Sequence, residues 1–133
     1  MTFSDNSAIY PVNLSADPLH FLESWGRLMA MAHALRQDLS NRLTELYGPR
    51  LDRLLLFGSQ ARGDAEEGSD VDVLVVLHGE VQPGEEIRRT GGIVAELSLV
   101  NDQVISCAFV SSQRFMSEKS PFLLNVRREG IAL

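Results

Sequence analysis

The stretch "FGSQARGDAEEGSDVDVLVV", residues 57–76, closes on the most apolar strand-like run of the chain, and that run opens with two carboxylates, Asp70 and Asp72. Side chains alternate along a strand, so Asp70, Asp72, Leu74 and Val76 share one face and Val71, Val73, Val75 and Leu77 the other. Carboxylates are among the side chains least often buried without a partner, and two on one face repel. A hard divalent cation resolves the conflict. Magnesium takes oxygen ligands, keeps some of its waters, and is usually held by one or two carboxylates together with substrate phosphates.

Upstream, "RLDRLLLF" reads as a strand that runs straight into Gly58. A glycine there lets the backbone approach a ligand closely. Ser59 adds a hydroxyl and an N–H, and if "SQARG" opens a helical turn its unpaired N–H groups favour an anion. Arg62 reads equally as a fork for phosphate oxygens or as half of a structural ion pair. Asp64, Glu66 and Glu67 read as acids of a solvated loop. Anion-binding groups at one strand end and metal-binding groups on the next would bring phosphates and magnesium together between them.

The other elements follow from periodicity. Residues 1–17 read as an irregular arm, with Asp17 as a helix N-cap and Pro18 at the first helical position. A helix then runs to the stop at Gly48-Pro49, either whole or split at Gly26, with Leu28, Met31, Leu35, Leu39, Leu43 and Leu46 on its apolar face. Residues 84–100 read as a second helix whose inner face carries Ile87, Gly91, Val94 and Leu97, the glycine allowing close packing on a sheet. Glu85 stands four residues before Arg89, a helical ion-pair spacing. "QVISCAFV" (103–110) is a third strand with Cys107 as a small core residue. One or two short helices follow within 111–130, the Arg127-Arg128-Glu129 end solvated, and "IAL" reads as a short last strand. The expected architecture is α/β, with a small mixed sheet flanked by helices and one domain over 18–133.

Composition narrows the function classes. The chain has 133 residues, 44% of them hydrophobic, and a formal net charge of -6. Such a charge gives no general field for gripping a nucleic-acid backbone, so nonspecific DNA or RNA binding is disfavoured. One cysteine permits neither an intrachain disulfide nor a cysteine zinc cluster. The stretch "MTFSDNSAIYPV" lacks a basic start and an apolar signal core, and no apolar run approaches the roughly 18 residues that span a bilayer. A cytoplasmic protein without membrane contact is the expectation.

Glycine-serine, ten residues, then Asp-x-Asp resembles the signature of the nucleotidyltransferase superfamily that includes DNA polymerase beta, matched by Gly58, Ser59, Asp70 and Asp72. The short "GSQARG" form resembles the minimal nucleotidyltransferases, the MNT group often paired with HEPN-domain toxins. The resemblance implies a minimal nucleotidyltransferase fold and a reaction. A nucleoside triphosphate, ATP first among candidates, would lie against Gly58, Ser59 and Arg62, with magnesium on Asp70 and Asp72. An acceptor hydroxyl, carried by a partner such as a HEPN-type toxin, would take the nucleoside monophosphate.

The family usually has a third carboxylate on the strand beside Asp-x-Asp. Here that strand contains no acid. Asp102, just before it, could serve as a third metal ligand or could be a helix-to-strand turn residue. Without a third acid, the alternative is a binding or antitoxin-type module that keeps the nucleotide but does not turn over. The apolar residues Leu19, Phe21, Leu22 and Trp25 add a surface expected to pack on a second protomer or a partner protein.

Overall fold

The computed structural model of the protein describes residues 18–63, 65 and 69–133, with the backbone alone for Phe21 and Leu28. The expected arm at 1–17, the Asp17 cap and the acids Asp64, Glu66 and Glu67 lie outside the described residues. In chain order the elements are α1 (Pro18–Tyr47), a 3-10 turn (Gly48–Arg50), β1 (Leu51–Phe57), α2 (Ser59–Arg62), β2 (Val71–Leu77), α3 (Pro83–Asn101), β3 (Ile105–Ser111), α4 (Ser112–Ser117), α5 (Pro121–Glu129) and β4 (Ile131–Ala132). Helix α1 passes through Gly26 unbroken. Among the described residues no helix is long and apolar enough to cross a membrane.

Backbone contacts divide the chain into two units, residues 1–34 and 35–133. In the first, Leu19, Leu22, Trp25, Met29 and Met31 are exposed. The second holds a sheet of strand order β3-β2-β1-β4. β1 pairs antiparallel with β2 and with β4, whereas β2 and β3 are parallel. A parallel pair needs a long crossover, which α3 supplies.

Strand β2 is buried on both faces because each face has its own cover. Val71, Val73, Val75 and Leu77 pack with Leu35, Leu39, Leu43 and Tyr47 of α1 and Leu97 of α3. Leu74 and Val76 pack with Val110, Phe115, Leu123 and Val126. Asp70 and Asp72 continue the second face outward, where Asp72 is half-buried and Asp70 exposed. The acids therefore stand where the cover given by α4 and α5 runs out.

On two helices the periodic reading holds in part: Leu35, Leu39 and Leu43 of α1 and Leu97 of α3 are buried as expected, and Val94 packs against the core. In α1 the inner stripe ends on Tyr47, and Leu46 and Met31 are exposed. In α3 the buried positions are Glu86, Thr90 and Leu97, while Ile87 is 57% exposed. Gly91 is exposed and an added Cβ would meet nothing within 4 Å, so it makes no close approach to the sheet. The cause is the ion-pair network of Glu86, only 1% exposed. It accepts hydrogen bonds from Tyr47 Oη at 2.8 Å, Arg50 Nη1 at 2.9 Å and Arg89 Nε at 3.0 Å. Arg89 thus pairs three residues back with Glu86 rather than with Glu85. Arg127 also departs from a solvated helix end, donating to the carbonyls of Phe115 and Glu118. Cys107 packs against the core, and burial pushes its thiol up to about 11.

Two predictions follow from α3. Gly91 and Gly92 lie in a helix interior with open space where a Cβ would go. Alanine at either position is expected to raise stability by about 0.5–1 kcal/mol, read as a higher urea midpoint. Burial raises the pKa of Glu86, but the hydrogen bonds from Tyr47 and Arg50, the charge of Arg50 and the bond from Arg89 outweigh it, leaving the carboxyl below its usual value. A lowered folded-state pKa gives stability that is complete above roughly pH 4.5 and lost as pH falls through the folded value. Tyr47→Phe should cost about 1.5–3 kcal/mol at neutral pH, the range for a hydrogen bond to a charged group. Urea unfolding across pH 3–7 checks both the cost and a shallower acid-side slope in the variant.

Candidate active site

β1 delivers Phe57 opposite Asp72 in the antiparallel register. Directly opposite residues project to the same face, so the end of β1 and the start of β2 present their side chains together. The next residue, Gly58, has φ 74° and ψ -157°, a region open essentially to glycine alone. Space makes the same demand. A Cβ at residue 58 would lie 2.5 Å from Asp72 Oδ2. Gly58 thus turns the chain into α2 and leaves its backbone against the Asp72 carboxylate. Its carbonyl accepts from the N–H groups of Ala61 and Arg62, each at 3.1 Å, which places Ser59 at the helix start.

Asp70 and Asp72 lie on the same sheet face, next to this turn. Burial raises the pKa of Asp72, and the negative charge of Asp70 raises it further. The pair is electrostatically uncomfortable in the absence of a cation, as two carboxylates arranged for metal binding are. Its two hard oxygen donors, open to water on one side, fit magnesium with waters and phosphate oxygens completing the shell. Among the described residues no cluster of three or more His, Cys, Asp or Glu side chains forms.

Asp102 is the C-cap of α3, exposed and in the left-handed region at φ 49°. It occupies the helix-to-strand turn, the second of its two sequence readings. The residue beside Asp72 on the parallel neighbour strand is Ser106, and it is exposed. A hydroxyl therefore stands on the strand where the family resemblance implies an acid. Arg62 has its guanidinium 3.9 Å from Glu129 of α5, so its structural ion-pair reading is realised, with both side chains partly open to water.

Sequence reasoning missed the groups that position the acids. The carbonyl of Ser69 accepts from Gln103 Nε2 at 2.5 Å and from Gln60 Nε2 at 3.5 Å. Gln60 is in turn held by Arg36 at 3.3 Å. On the other side of Asp70, the Val71 N–H donates to the Val104 carbonyl at 2.8 Å. The backbone around Asp70 is thus fixed from α2 and from the approach to β3. Two glutamines far apart in sequence carry no periodic or spacing signal.

Known proteins with this arrangement are of one kind. The family model described as a nucleotidyltransferase domain matches residues 36–123. Two proteins of Methanocaldococcus jannaschii, each named "Putative protein adenylyltransferase", are similar in sequence. One is 41% identical over 71 residues, 53% of this chain and 67% of that protein. The other is 35% identical over 99 residues, 73% of this chain and 92% of that protein. The crystal structure of a "putative nucleotidyltransferase from Sulfolobus solfataricus" has a TM-score of 0.50 at 18% identity, over 84% of this chain and 83% of that one. A "toxin-antitoxin with AMP-PNP" has a TM-score of 0.50 at 19% identity, over 68% of this chain and 66% of that one. At these identities the solved structures share the fold.

Two substitutions should move stability in opposite directions. Gly58→Ala forces a Cβ into the Asp72 carboxylate and strains the turn, at a cost on the order of 1–3 kcal/mol. Asp72→Asn removes a group whose folded-state pKa is raised. Such a group opposes folding above its unfolded value, so the variant should melt higher than wild type at pH 7 and lose that advantage as pH falls below about 4. Differential scanning calorimetry of the ligand-free protein at both pH values is the check.

Proposed function

This chain belongs to the nucleotidyltransferase domain family, and from that membership we infer that it transfers a nucleoside monophosphate, AMP from ATP, to an acceptor hydroxyl in a magnesium-dependent reaction. The observation that carries the reading is the contact between Gly58 and the Asp72 carboxylate, which sets a phosphate-compatible turn directly against two metal-binding acids. In this reading the terminal phosphates lie against the Gly58 backbone and the Ser59 N–H and hydroxyl. Asp70 and Asp72 hold magnesium, and Arg62 exchanges part of its pairing with Glu129 for phosphate oxygen. Bound there, magnesium supplies charge neutralisation at the attacking and leaving oxygens. The acceptor oxygen bonds the α-phosphorus, the bond to the bridging oxygen breaks, and pyrophosphate departs.

The acceptor is proposed to be a side-chain hydroxyl of a partner protein of the HEPN toxin type. A protein of the same fold crystallised as a toxin-antitoxin with AMP-PNP, which is the setting this reading expects. The exposed apolar stripe of α1 is the proposed contact surface, for that partner or for a second copy. Leu22 and Met29 stand two turns apart on it, both exposed.

A second reading has its own observation. Ser106 is the residue in register with Asp72 on β3, and a hydroxyl neither binds magnesium as a carboxylate does nor takes the acceptor's proton. That favours a nucleotide-binding antitoxin module without turnover.

Calorimetry with ATP and a pyrophosphate-release assay with the candidate partner decide between them. Transfer predicts metal-dependent ATP binding, pyrophosphate release and an adenylylated partner. All three should be lost in the Asp70→Asn/Asp72→Asn double variant, whereas Leu22→Glu/Met29→Glu should lose pyrophosphate release and partner modification together and keep metal-dependent ATP binding. Ser59→Ala should weaken binding by about 0.5–1.5 kcal/mol, one neutral hydrogen bond. Metal-dependent binding without pyrophosphate release selects the binding module. Equal ATP affinity with and without magnesium overturns both readings.

A further inference from the structure

A cleft of about 160 Å³ opens at the end of β1, between it and helix α5. Gly58 lines it, so it adjoins the turn assigned to the phosphates. Phe57 lines it too, and Phe57 stands opposite Asp72 on the same sheet face. A pocket for a whole drug-sized ligand measures roughly 300–1,000 Å³. This cleft suits one flat end of a ligand whose remainder lies outside it.

Its walls are suited to an aromatic ring. Phe57 and Phe122 meet edge to face, with centroids 5.3 Å apart and planes at 84°. That contact engages one side of Phe122 and leaves the residue 44% exposed. Rings at right angles make a corner in which a third flat ring can lie on one and abut the other. Asn125, one helical turn beyond Phe122, lines the same cleft. Its Oδ1 accepts from Arg128 Nη2 at 2.9 Å, which uses one of that oxygen's two lone pairs. An amide offering an acceptor and a donor side by side complements the N6 and N7 edge of adenine. Guanine presents two acceptors on that edge, O6 and N7, and mismatches the amide oxygen.

We propose that the cleft between Phe57 and Phe122 is the base-binding half of the nucleotide site, with Phe122 as its stacking platform and Asn125 selecting adenine over guanine. The proposal rests on the nucleotide-transfer reading and adds to it the residues that set base preference. It also gives the Arg62–Glu129 pair a place, at the rim where cleft and phosphate turn meet.

The test compares binding of magnesium ATP, magnesium GTP and magnesium tripolyphosphate, which has phosphates and no base. Wild type should bind ATP more tightly than either of the others. Phe122→Leu keeps apolar bulk against Phe57 but removes the flat face. It should weaken ATP about tenfold and leave tripolyphosphate unchanged, while Phe122→Tyr keeps ATP affinity. Asn125→Ala should bring ATP and GTP affinities together, again without effect on tripolyphosphate. Equal affinity of wild type for ATP and tripolyphosphate overturns the proposal. So does an equal loss of both compounds in Phe122→Leu, or unchanged ATP binding in both Phe122→Leu and Asn125→Ala. ATP binding that depends on Phe122 but not on magnesium or the acids would instead sink the transfer reading and leave the cleft standing. Failure of wild type to bind any of the three sinks both.

Discussion

Gly58 and Asp72 approach so closely that one methyl group would sit 2.5 Å from a carboxylate oxygen, and the arrangement of β1, α2 and β2 follows from keeping that space open. β1 must end there because its next residue needs a conformation that other amino acids avoid. α2 must begin there because the same turn supplies the carbonyl that closes its first hydrogen bonds. β2 must start with its acids at that level because its register places Asp72 opposite Phe57. The site is therefore a property of two strand ends meeting, and the surrounding core holds those ends in place. The two glutamine contacts to Ser69 serve the same purpose from outside the sheet.

The chain treats two carboxylates in opposite ways. Glu86 is almost completely enclosed, yet three donors surround it and its pKa is lowered. Asp72 is only half-buried, yet its nearest influences are burial and another negative charge, and its pKa is raised. Burial alone does not decide the cost of an acid; the donors around it do. A fold able to satisfy Glu86 so fully leaves Asp72 with burial and the charge of Asp70. Under the proposed function that is stability given up for binding, because donors that relaxed the pair would also block a cation.

Much of this was legible in the sequence, for reasons that are local. Strand alternation placed Asp70 and Asp72 on one face with Leu74 and Val76, and the two packing faces of β2 agree with it. The glycine-serine spacing located the turn, and the order of helices and strands located the mixed sheet. The errors share one physical origin. Apolar spacing places Val94 and Leu97 of α3 on the core, as observed, but in the first turns of that helix the core-facing positions are Glu86 and Thr90, the acid made tolerable by Tyr47 and Arg50 from far upstream. Gly91, one turn beyond Ile87 in the apolar spacing, is exposed with it, so it makes no close approach to the sheet. Phe122 and Asn125 carry no spacing signal toward Phe57 and Gly58, since only the placement of α5 brings them to one cleft. Periodicity reports what a segment prefers alone; ion pairs and inter-strand register are settled by partners it cannot name.

The two halves of the proposed activity lean on different parts of this geometry. Two carboxylates and a polyphosphate are all negative, so bringing them together without a cation is opposed by Coulomb repulsion at short range. In the proposed reading, the metal-coupled part of nucleotide binding draws on Asp70, Asp72 and the Gly58 turn. Turnover asks for one thing more, a group that takes the proton from the attacking hydroxyl. On β3 the residue in register with Asp72 is a serine, and Asp102 stands in the turn before that strand. A hydroxyl beside Asp72 is a weak base at neutral pH, so under the transfer reading the proton would pass to a group other than Ser106. Binding and turnover are therefore separable in the proposed activity: the first draws on the two strand ends, the second on a proton acceptor that the residue in register with Asp72 on β3 does not supply.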